Sequence, residues 1–176
     1  TIVLVLAVIT FRSTSTPDPV RPLAKNDAHH AAPAGVAPLD VQVVALDWKW
    51  LFIYPGEGIA TVNEMAVPVG RPVHFRLTAS SVMNTFHVPV LGSMVRVLPG
   101  TESQLDAVIS QPGTYVGRSG LYSGAGYAGM QFRLLGLDDQ AYTAWVEKAR
   151  RTGTGSLTRA AYLQLAQPSA NENVRE

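Results

Sequence analysis

Four stretches in the middle of the chain alternate apolar and polar residues, and this alternation limits the fold more than any other feature. The apolar positions are Val41, Val43 and Ala45; Val73, Phe75 and Leu77; Leu105, Ala107 and Ile109; and Met130, Phe132 and Leu134. A period of two is typical of strands that place one face in a core. Turn signals separate the stretches, at Pro55-Gly56, Gly70, Pro99-Gly100 and Pro112-Gly113. Short strands divided by turns predict a mainly β domain, a sandwich or barrel, over residues 39–137.

The spacing becomes helical in the last part of the chain. Asp138 is a suitable N-cap for a helix that runs to about Arg151, and Ser156 is the expected cap of a second helix that Pro168 ends. The apolar faces would hold Ala141, Trp145, Val146 and Ala149 in the first helix, and Ala160, Leu163 and Ala166 in the second. Residues 138–176 are therefore predicted to form a helical C-terminal appendix with a polar tail.

The first residues form an uncharged apolar run, TIVLVLAVITF, over residues 1–11. A helix needs about 20 such residues to span a bilayer. Since the chain opens on Thr1 rather than methionine, we expect a processed or truncated start and interpret the run as the end of a transmembrane helix. The alternatives are the core of a signal peptide and a buried strand. Residues 12–38 hold five of the twelve prolines and few large apolar residues, which predicts an extended linker.

Composition and motifs exclude several function classes. A net charge of +1 with scattered basic residues gives no basis for binding nucleic acid. The chain has no cysteine, so disulfides, zinc ribbons and thiol catalysis are excluded. The sequence GAGYAG at 124–129 fits the dinucleotide fingerprint, but the following MQFRLL alternates as a strand, whereas the fingerprint requires a helix there. His87 with Met130 would make only a weak, soft copper(I) site.

An aromatic run, DWKWLFIY, occupies residues 47–54. In an extended segment Trp48, Trp50, Phe52 and Tyr54 would point to one side. Large aromatic side chains favour packing, so we interpret the four as residues of the core or of a contact with another subunit. The alternative is a contact surface for an electron-donating partner.

Residues 41–93, VQVVALDWKWLFIYPGEGIATVNEMAVPVGRPVHFRLTASSVMNTFHVPVLGS, together with PGTYVGRSGLYSGAGYAGM at 112–130, carry a specific likeness. They resemble subunit II of bacterial ubiquinol oxidases of the cytochrome bo type, which are haem-copper terminal oxidases. The likeness covers about residues 41–151. It implies a cupredoxin-like antiparallel β-sandwich for residues 39–137, tethered by a transmembrane hairpin.

The resemblance also implies that a copper site has been lost. The related cytochrome c oxidase subunit II holds a dinuclear copper centre with histidine, cysteine, glutamate and methionine ligands. Carried over position by position, these ligands fall on Asn84, Ser119, Leu121, Ser123, Tyr127 and Met130. Only the methionine is retained, and a serine hydroxyl is too hard a donor to replace a bridging thiolate. The resemblance therefore implies that this chain has no catalytic residue and binds neither a cofactor nor a metal.

The function implied by the resemblance is that of a non-redox subunit II in a proton-pumping ubiquinol oxidase. Haems and copper would lie in subunit I, which this chain would cap and stabilise, with subunits III and IV in the same complex. Ubiquinol would be the substrate and membrane lipid a further contact. The expected location is the bacterial inner membrane with the globular domain in the periplasm. The alternatives are a copper-carrying cytochrome c oxidase subunit and a free-standing periplasmic cupredoxin-like binding or assembly module.

Overall fold

The structure is a computed structural model that describes residues 37–153 and 157–169. The expected end of a transmembrane helix at 1–11, the linker up to residue 36 and the tail from residue 170 lie outside the described residues. No helix in the described ranges is long and apolar enough to span a bilayer.

Ten strands and two α-helices make up the described part of the chain. The strands are β1 (Leu39–Leu46), β2 (Lys49–Tyr54), β3 (Ile59–Val62), β4 (Glu64–Pro68), β5 (Pro72–Ala79), β6 (Asn84–Val88), β7 (Ser93–Val97), β8 (Ser103–Val108), β9 (Gly113–Ser119) and β10 (Gln131–Leu137). The helices are α1 (Asp139–Thr152) and α2 (Arg159–Leu165), and single 3-10 turns lie at Pro89–Leu91 and Tyr127–Gly129. The prediction of a mainly β domain followed by helices is confirmed.

The strands form two five-stranded sheets that pack face to face. The first sheet has the order β3-β2-β1-β5-β8, and the second has the order β4-β10-β9-β6-β7. Most neighbours are antiparallel, as expected, but β1 pairs with β5 and β4 pairs with β10 in parallel. The sandwich is therefore mixed rather than purely antiparallel. Alternation along one strand could not reveal this, because it shows which side chains are buried and not which way a neighbouring strand runs.

The predicted apolar positions of the alternating stretches fill the space between the sheets. All twelve are buried, with relative exposures from 0% to 8%. At the centre, the rings of Phe86 and Phe132 stack with centroids 5.2 Å apart. Trp50 meets both of them edge-on, at 5.6 and 5.4 Å. Aromatic pairs in these geometries add attraction to the burial of their large apolar areas.

The core interpretation of the aromatic run is confirmed for three residues, while the contact with another subunit and the position of Trp48 have to be corrected. Trp50, Phe52 and Tyr54 lie on β2 and have no exposed surface, so they pack in the core of their own domain and cannot contact another subunit. Trp48 does not share their side, because it sits in the turn before β2 with a φ of 67°. A residue with positive φ breaks the alternation of an extended strand, so spacing alone placed Trp48 wrongly.

Helix α1 closes one end of the core. Asp138 caps it as expected, accepting a hydrogen bond from the Ala141 backbone nitrogen at 2.7 Å. Its buried residues are Tyr142, Trp145, Val146 and Ala149. The indole nitrogen of Trp145 donates to the buried Glu64 carboxylate at 3.3 Å, and Arg133 pairs with the other oxygen of that carboxylate at 2.5 Å. The helix is thus fixed to β4 by both apolar packing and a charged group.

Helix α2 covers the outer face of the first sheet. Thr158 caps it by accepting from the Ala161 backbone nitrogen, so the predicted cap at Ser156 was wrong by two residues. Its packed residues are Tyr162, Leu165 and Ala166, which contact a cluster of Leu46, Leu51 and Val62. Leu163, predicted on the buried face, is 54% exposed. The buried Lys49 secures the segment after the helix, since its ammonium donates to the Gln167 carbonyl at 2.9 Å.

Gly117 is required by the ring of Phe132. A Cβ atom at position 117 would lie 2.0 Å from Phe132 Cζ. We therefore expect Gly117→Ala to lower the free energy of unfolding by about 1–3 kcal/mol, the usual cost of overpacking a core. Gly56→Ala is the matched control, because a Cβ there has no atom within 4 Å. Urea unfolding measures the free energy of unfolding of both variants. Equal values for Gly117→Ala and Gly56→Ala would contradict the packing argument.

Two buried tyrosines predict a loss of stability at alkaline pH. Burial, reinforced by the charge of Glu57, raises the pKa of Tyr142 from 10.0 to about 12. Burial also raises the pKa of Tyr54 well above 10.0. A raised tyrosine pKa stabilises the folded state below the unfolded pKa, and this contribution is lost as the pH rises through the folded pKa. Stability should therefore fall between about pH 10 and 12, and less steeply in Tyr142→Phe.

Comparing unfolding of the wild type and Tyr142→Phe at neutral and alkaline pH tests this expectation. The Tyr142 hydroxyl has no hydrogen-bond partner within the described residues, so the variant should lose little stability at neutral pH. If the free energy of unfolding falls equally steeply with alkaline pH in the two proteins, the prediction is contradicted.

Candidate functional site at the loop end of the sandwich

Three connections meet at one end of the sandwich, and they bring most of the predicted site residues together. Asn84 begins β6, Ser119 ends β9, and Met130 immediately precedes β10. The Ser119 backbone nitrogen donates to the Met130 carbonyl at 3.3 Å, which closes the base of the loop at residues 120–129. Asn84, Ser119 and Met130 are 1%, 3% and 1% exposed. The loop end is therefore a buried site rather than an open cleft at these three positions.

The Ser119 hydroxyl is the centre of a hydrogen-bond network. Its oxygen lies 3.1 Å from Asn84 Oδ1 and 3.3 Å from the Leu121 carbonyl, and its proton can be donated to either. The same oxygen accepts from the backbone nitrogens of Thr85 and Leu121, each at 3.4 Å. The Asn84 amide donates to the Val82 carbonyl at 3.2 Å. Neutral groups thus satisfy one another where a buried polar atom would otherwise be costly.

The other two predicted positions lie farther along the loop. The Ser123 hydroxyl is buried without a partner in the described part of the chain. Tyr127 begins the 3-10 turn, and its ring lies 5.7 Å from that of Tyr122. No hydrogen bond among the described residues joins either side chain to Asn84 or Ser119. The structure therefore groups Asn84, Ser119, Leu121 and Met130, and leaves Ser123 and Tyr127 outside that network.

Trp48 holds the loop from the opposite sheet. Its indole nitrogen donates to the Ser123 carbonyl at 3.0 Å. Its ring lies against Gly124 and Gly126, where an added Cβ would come within 3.2 and 2.3 Å of ring atoms. A bulky residue with φ near 67° is an outlier that the surrounding structure must support. Sequence spacing did not predict that Trp48 contacts the loop. The only sequence signal for this contact was the pair of glycines, Gly124 and Gly126.

The donors at this end are amide, hydroxyl, carbonyl and thioether groups. Among the described residues, no three histidine, aspartate or glutamate side chains are grouped as metal ligands would be. His87 lies on β6 opposite Arg118 of β9 and Met94 of β7, away from the Asn84 side of the strand. It therefore does not join Met130, which faces the core.

The fold and the loop end define a cupredoxin-like β-sandwich domain. Residues 41–134 match the family described as cytochrome c oxidase subunit II, periplasmic domain. This match spans more than half of the chain, and the protein belongs to that family.

Curated relatives agree with the resemblance seen in the sequence. The chain is 46% identical over 170 residues to ubiquinol oxidase subunit 2 of Acetobacter aceti, covering 97% of this chain and 53% of that protein. It is 41% identical to cytochrome bo(3) ubiquinol oxidase subunit 2 of Pseudomonas aeruginosa, covering 97% of this chain and 48% of the relative. The resemblance is confirmed. The chain spans about half the length of these relatives.

A solved structure supports the fold alone. The periplasmic domain of subunit II of cytochrome oxidase from Bradyrhizobium japonicum superposes with a TM-score of 0.63 at 23% identity. The superposition covers 69% of this chain and 98% of that one. The predicted cupredoxin-like sandwich is thereby confirmed.

The hydrogen-bond network predicts unequal effects for the two serines of the site. Ser119→Ala removes a hydroxyl that bridges Asn84, Thr85 and Leu121, and should lower the free energy of unfolding by about 1–2 kcal/mol because buried partners are left unsatisfied. Ser123→Ala removes a hydroxyl with no partner in the described chain and should change stability little. Urea unfolding of both variants measures the difference. A loss for Ser123→Ala equal to that for Ser119→Ala would contradict the network.

Proposed function

We propose that this chain belongs to subunit II of a membrane-bound, proton-pumping ubiquinol oxidase, in which the domain has lost its copper site. The two relatives at 46% and 41% identity are both named as subunit 2 of a ubiquinol oxidase. The family that matches residues 41–134, however, is described as cytochrome c oxidase subunit II, periplasmic domain. The choice between these two oxidase classes depends on the chemistry of the loop end.

The observation that carries the proposal is the donor set around Ser119. Copper centres for electron transfer rely on soft thiolate ligands, and this chain has no cysteine. The positions that correspond to copper ligands in the resemblance supply an amide, two hydroxyls, a backbone carbonyl, a phenol and one thioether. The Ser119 hydroxyl is engaged with Asn84 and Leu121 at 3.1 and 3.3 Å. These donors do not fit a dinuclear copper centre, so no electron step is assigned to this chain.

The loss of a copper relay is consistent with a quinol substrate. Ubiquinol is soluble in lipid and can deliver electrons within the bilayer, whereas a soluble donor requires a relay on the aqueous side. In the proposed complex, haems and copper belong to subunit I, and this domain caps and stabilises that subunit on the periplasmic side of the inner membrane. Subunits III and IV complete the complex.

Purification of the native protein tests both parts of the proposal. In detergent extracts of native membranes, we expect the chain to co-purify with haem and with oxygen uptake that depends on ubiquinol. After separation of the subunits, metal analysis should find no stoichiometric copper on this chain.

Two results would each contradict a different part of the proposed function. A chain that purifies without haem would overturn the assignment to an oxidase. Stoichiometric copper on the separated chain, lost in a Ser119→Ala, Ser123→Ala double variant, would overturn the loss of the copper site while leaving the oxidase assignment intact.

A further inference from the structure

Residues 157–169, which include α2, lie against the outer face of the first sheet and apart from the main core between the sheets. The six side chains beneath them are apolar and belong to three adjacent strands. They are Val44 and Leu46 of β1, Leu51 and Ile53 of β2, and Ala60 and Val62 of β3. We call these six residues the covered face.

Strand register joins the covered face into one surface. Leu51 lies opposite Val44 of β1 and Val62 of β3, so these three form a row of branched apolar side chains across the strands. Ile53 lies opposite Ala60 in the next row on the same side. Alternation along β2 turns both rows away from the rings that this strand sends into the main core. The covered face is therefore a second, smaller apolar surface on the other side of the sheet.

The helical structure of α2 depends on this surface. The helix has seven residues, Arg159–Leu165. Isolated helices shorter than about 12–15 residues are marginal in water, because the cost of nucleation exceeds what a few hydrogen bonds return. The packed residues Tyr162, Leu165 and Ala166 have the i, i+3, i+4 spacing of one helix face. The helix and its contact with the sheet should therefore be lost together.

A buried ammonium group fixes the end of the segment. Lys49 is 2% exposed, and its Nζ donates to the Gln167 carbonyl at 2.9 Å and to the Ser169 hydroxyl. Both acceptors lie beyond the last residue of α2, at the end opposite to its Thr158 cap. Burial of an ammonium is costly unless its protons are accepted, so Lys49 favours one position of these acceptors.

The two helices are attached to the sandwich in different ways. Four side chains of α1 are buried in the main core, and its Arg150 also donates to the Glu57 carbonyl at 2.8 Å. α2 has no buried residue. Within the described part of the chain, the hydrogen bonds that join residues 157–169 to a strand come from Lys49. A unit with few buried side chains opens at a lower free energy than the core.

We infer that residues 157–169 form a strap that opens as one unit while the sandwich and α1 stay folded, and that Lys49 is its latch. The inference does not rest on the proposed function. When the strap is closed, the covered face and the Lys49 ammonium are buried. When it opens, the first sheet presents an apolar surface and a free positive charge at the same place.

Thiol labelling tests the inference, because the chain has no cysteine of its own. Val62→Cys places a thiol beneath the strap, and Val73→Cys places a control thiol in the main core, at positions that are 5% and 2% exposed. The intact protein, isolated with whatever subunits accompany it, is treated with a maleimide, and mass spectrometry follows the modification of this chain. We expect Val62→Cys to react at least about tenfold faster than Val73→Cys, since only the strap must open.

Two leucines of α2 provide a matched pair of variants. Leu165 contacts the covered face, whereas Leu163 of the same helix is 54% exposed. Combined with Val62→Cys, Leu165→Ala should speed labelling by a further factor of about ten, because it removes apolar contact that only the closed strap makes. Leu163→Ala should leave the rate unchanged. Neither variant should speed the labelling of Val73→Cys.

The latch is tested from both of its sides. Lys49→Gln removes the charge and shortens the side chain, and should speed the labelling of Val62→Cys about tenfold by removing hydrogen bonds from a charged donor. Ser169→Ala removes one acceptor and should speed it several-fold. Arg151→Gln is the control for loss of a positive charge, because the Arg151 guanidinium donates to the Glu147 carbonyl of its own helix. It should leave the rate unchanged.

Three results would overturn the inference. Equal labelling of Val62→Cys and Val73→Cys would mean that both thiols are reached only when the whole domain unfolds. Variants that speed both thiols in proportion would likewise show loss of the fold rather than opening of a strap. An unchanged rate in Lys49→Gln would remove Lys49 as the latch. Because the labelling requires neither haem nor copper, failure of the proposed function would leave these outcomes as they are.

Discussion

The stacking of Phe86 on Phe132 between the two sheets is the contact on which the rest of the structure depends. The rings lie 5.2 Å apart with an interplanar angle of 13°, and Trp50 braces both from the opposite sheet. Phe132 occupies this position only because residue 117 has no side chain. The two strands that carry these rings begin at Asn84 and directly after Met130, and β9, which lies between them and carries Gly117, ends at Ser119. The packing around these rings therefore holds together the three strands from which the loop end is built.

One strand joins the core to the loop. On β2 Trp50 lies in the centre of the core, and two residues earlier Trp48 leaves the sheet with a positive φ and places its ring under Gly124 and Gly126. The loop is thus held by an indole on one side and by the Ser119 hydroxyl on the other. Both contacts are made by neutral groups, and they require the short side chains that the sequence has at these positions.

Sequence reasoning predicted what local pattern encodes and missed what depends on distant contacts. Alternation identified the inward residues of β1, β5, β8 and β10, and Asp138 identified the start of α1, because burial and capping follow from neighbouring residues. The parallel pairing of β1 with β5 carries no local signal. The cap of α2 is Thr158, and local pattern could not separate it from Ser156 because both hydroxyls suit the role. The family resemblance grouped Asn84, Ser119 and Met130, but no spacing rule could foresee the hydrogen bonds between them or the position of Trp48.

The polar side chains at the loop end divide into a buried neutral group and an exposed basic group. Inside the loop end, the Ser119 hydroxyl and the Asn84 amide are neutral and hydrogen-bonded, whereas the buried hydroxyl of Ser123 has no partner among the described residues. Outside it, Arg96 and Arg118 stand unpaired among the described residues beside exposed methionines and Tyr122. Both groups are carried by strands of the same packed core, which keeps them in a fixed register at this end of the sandwich.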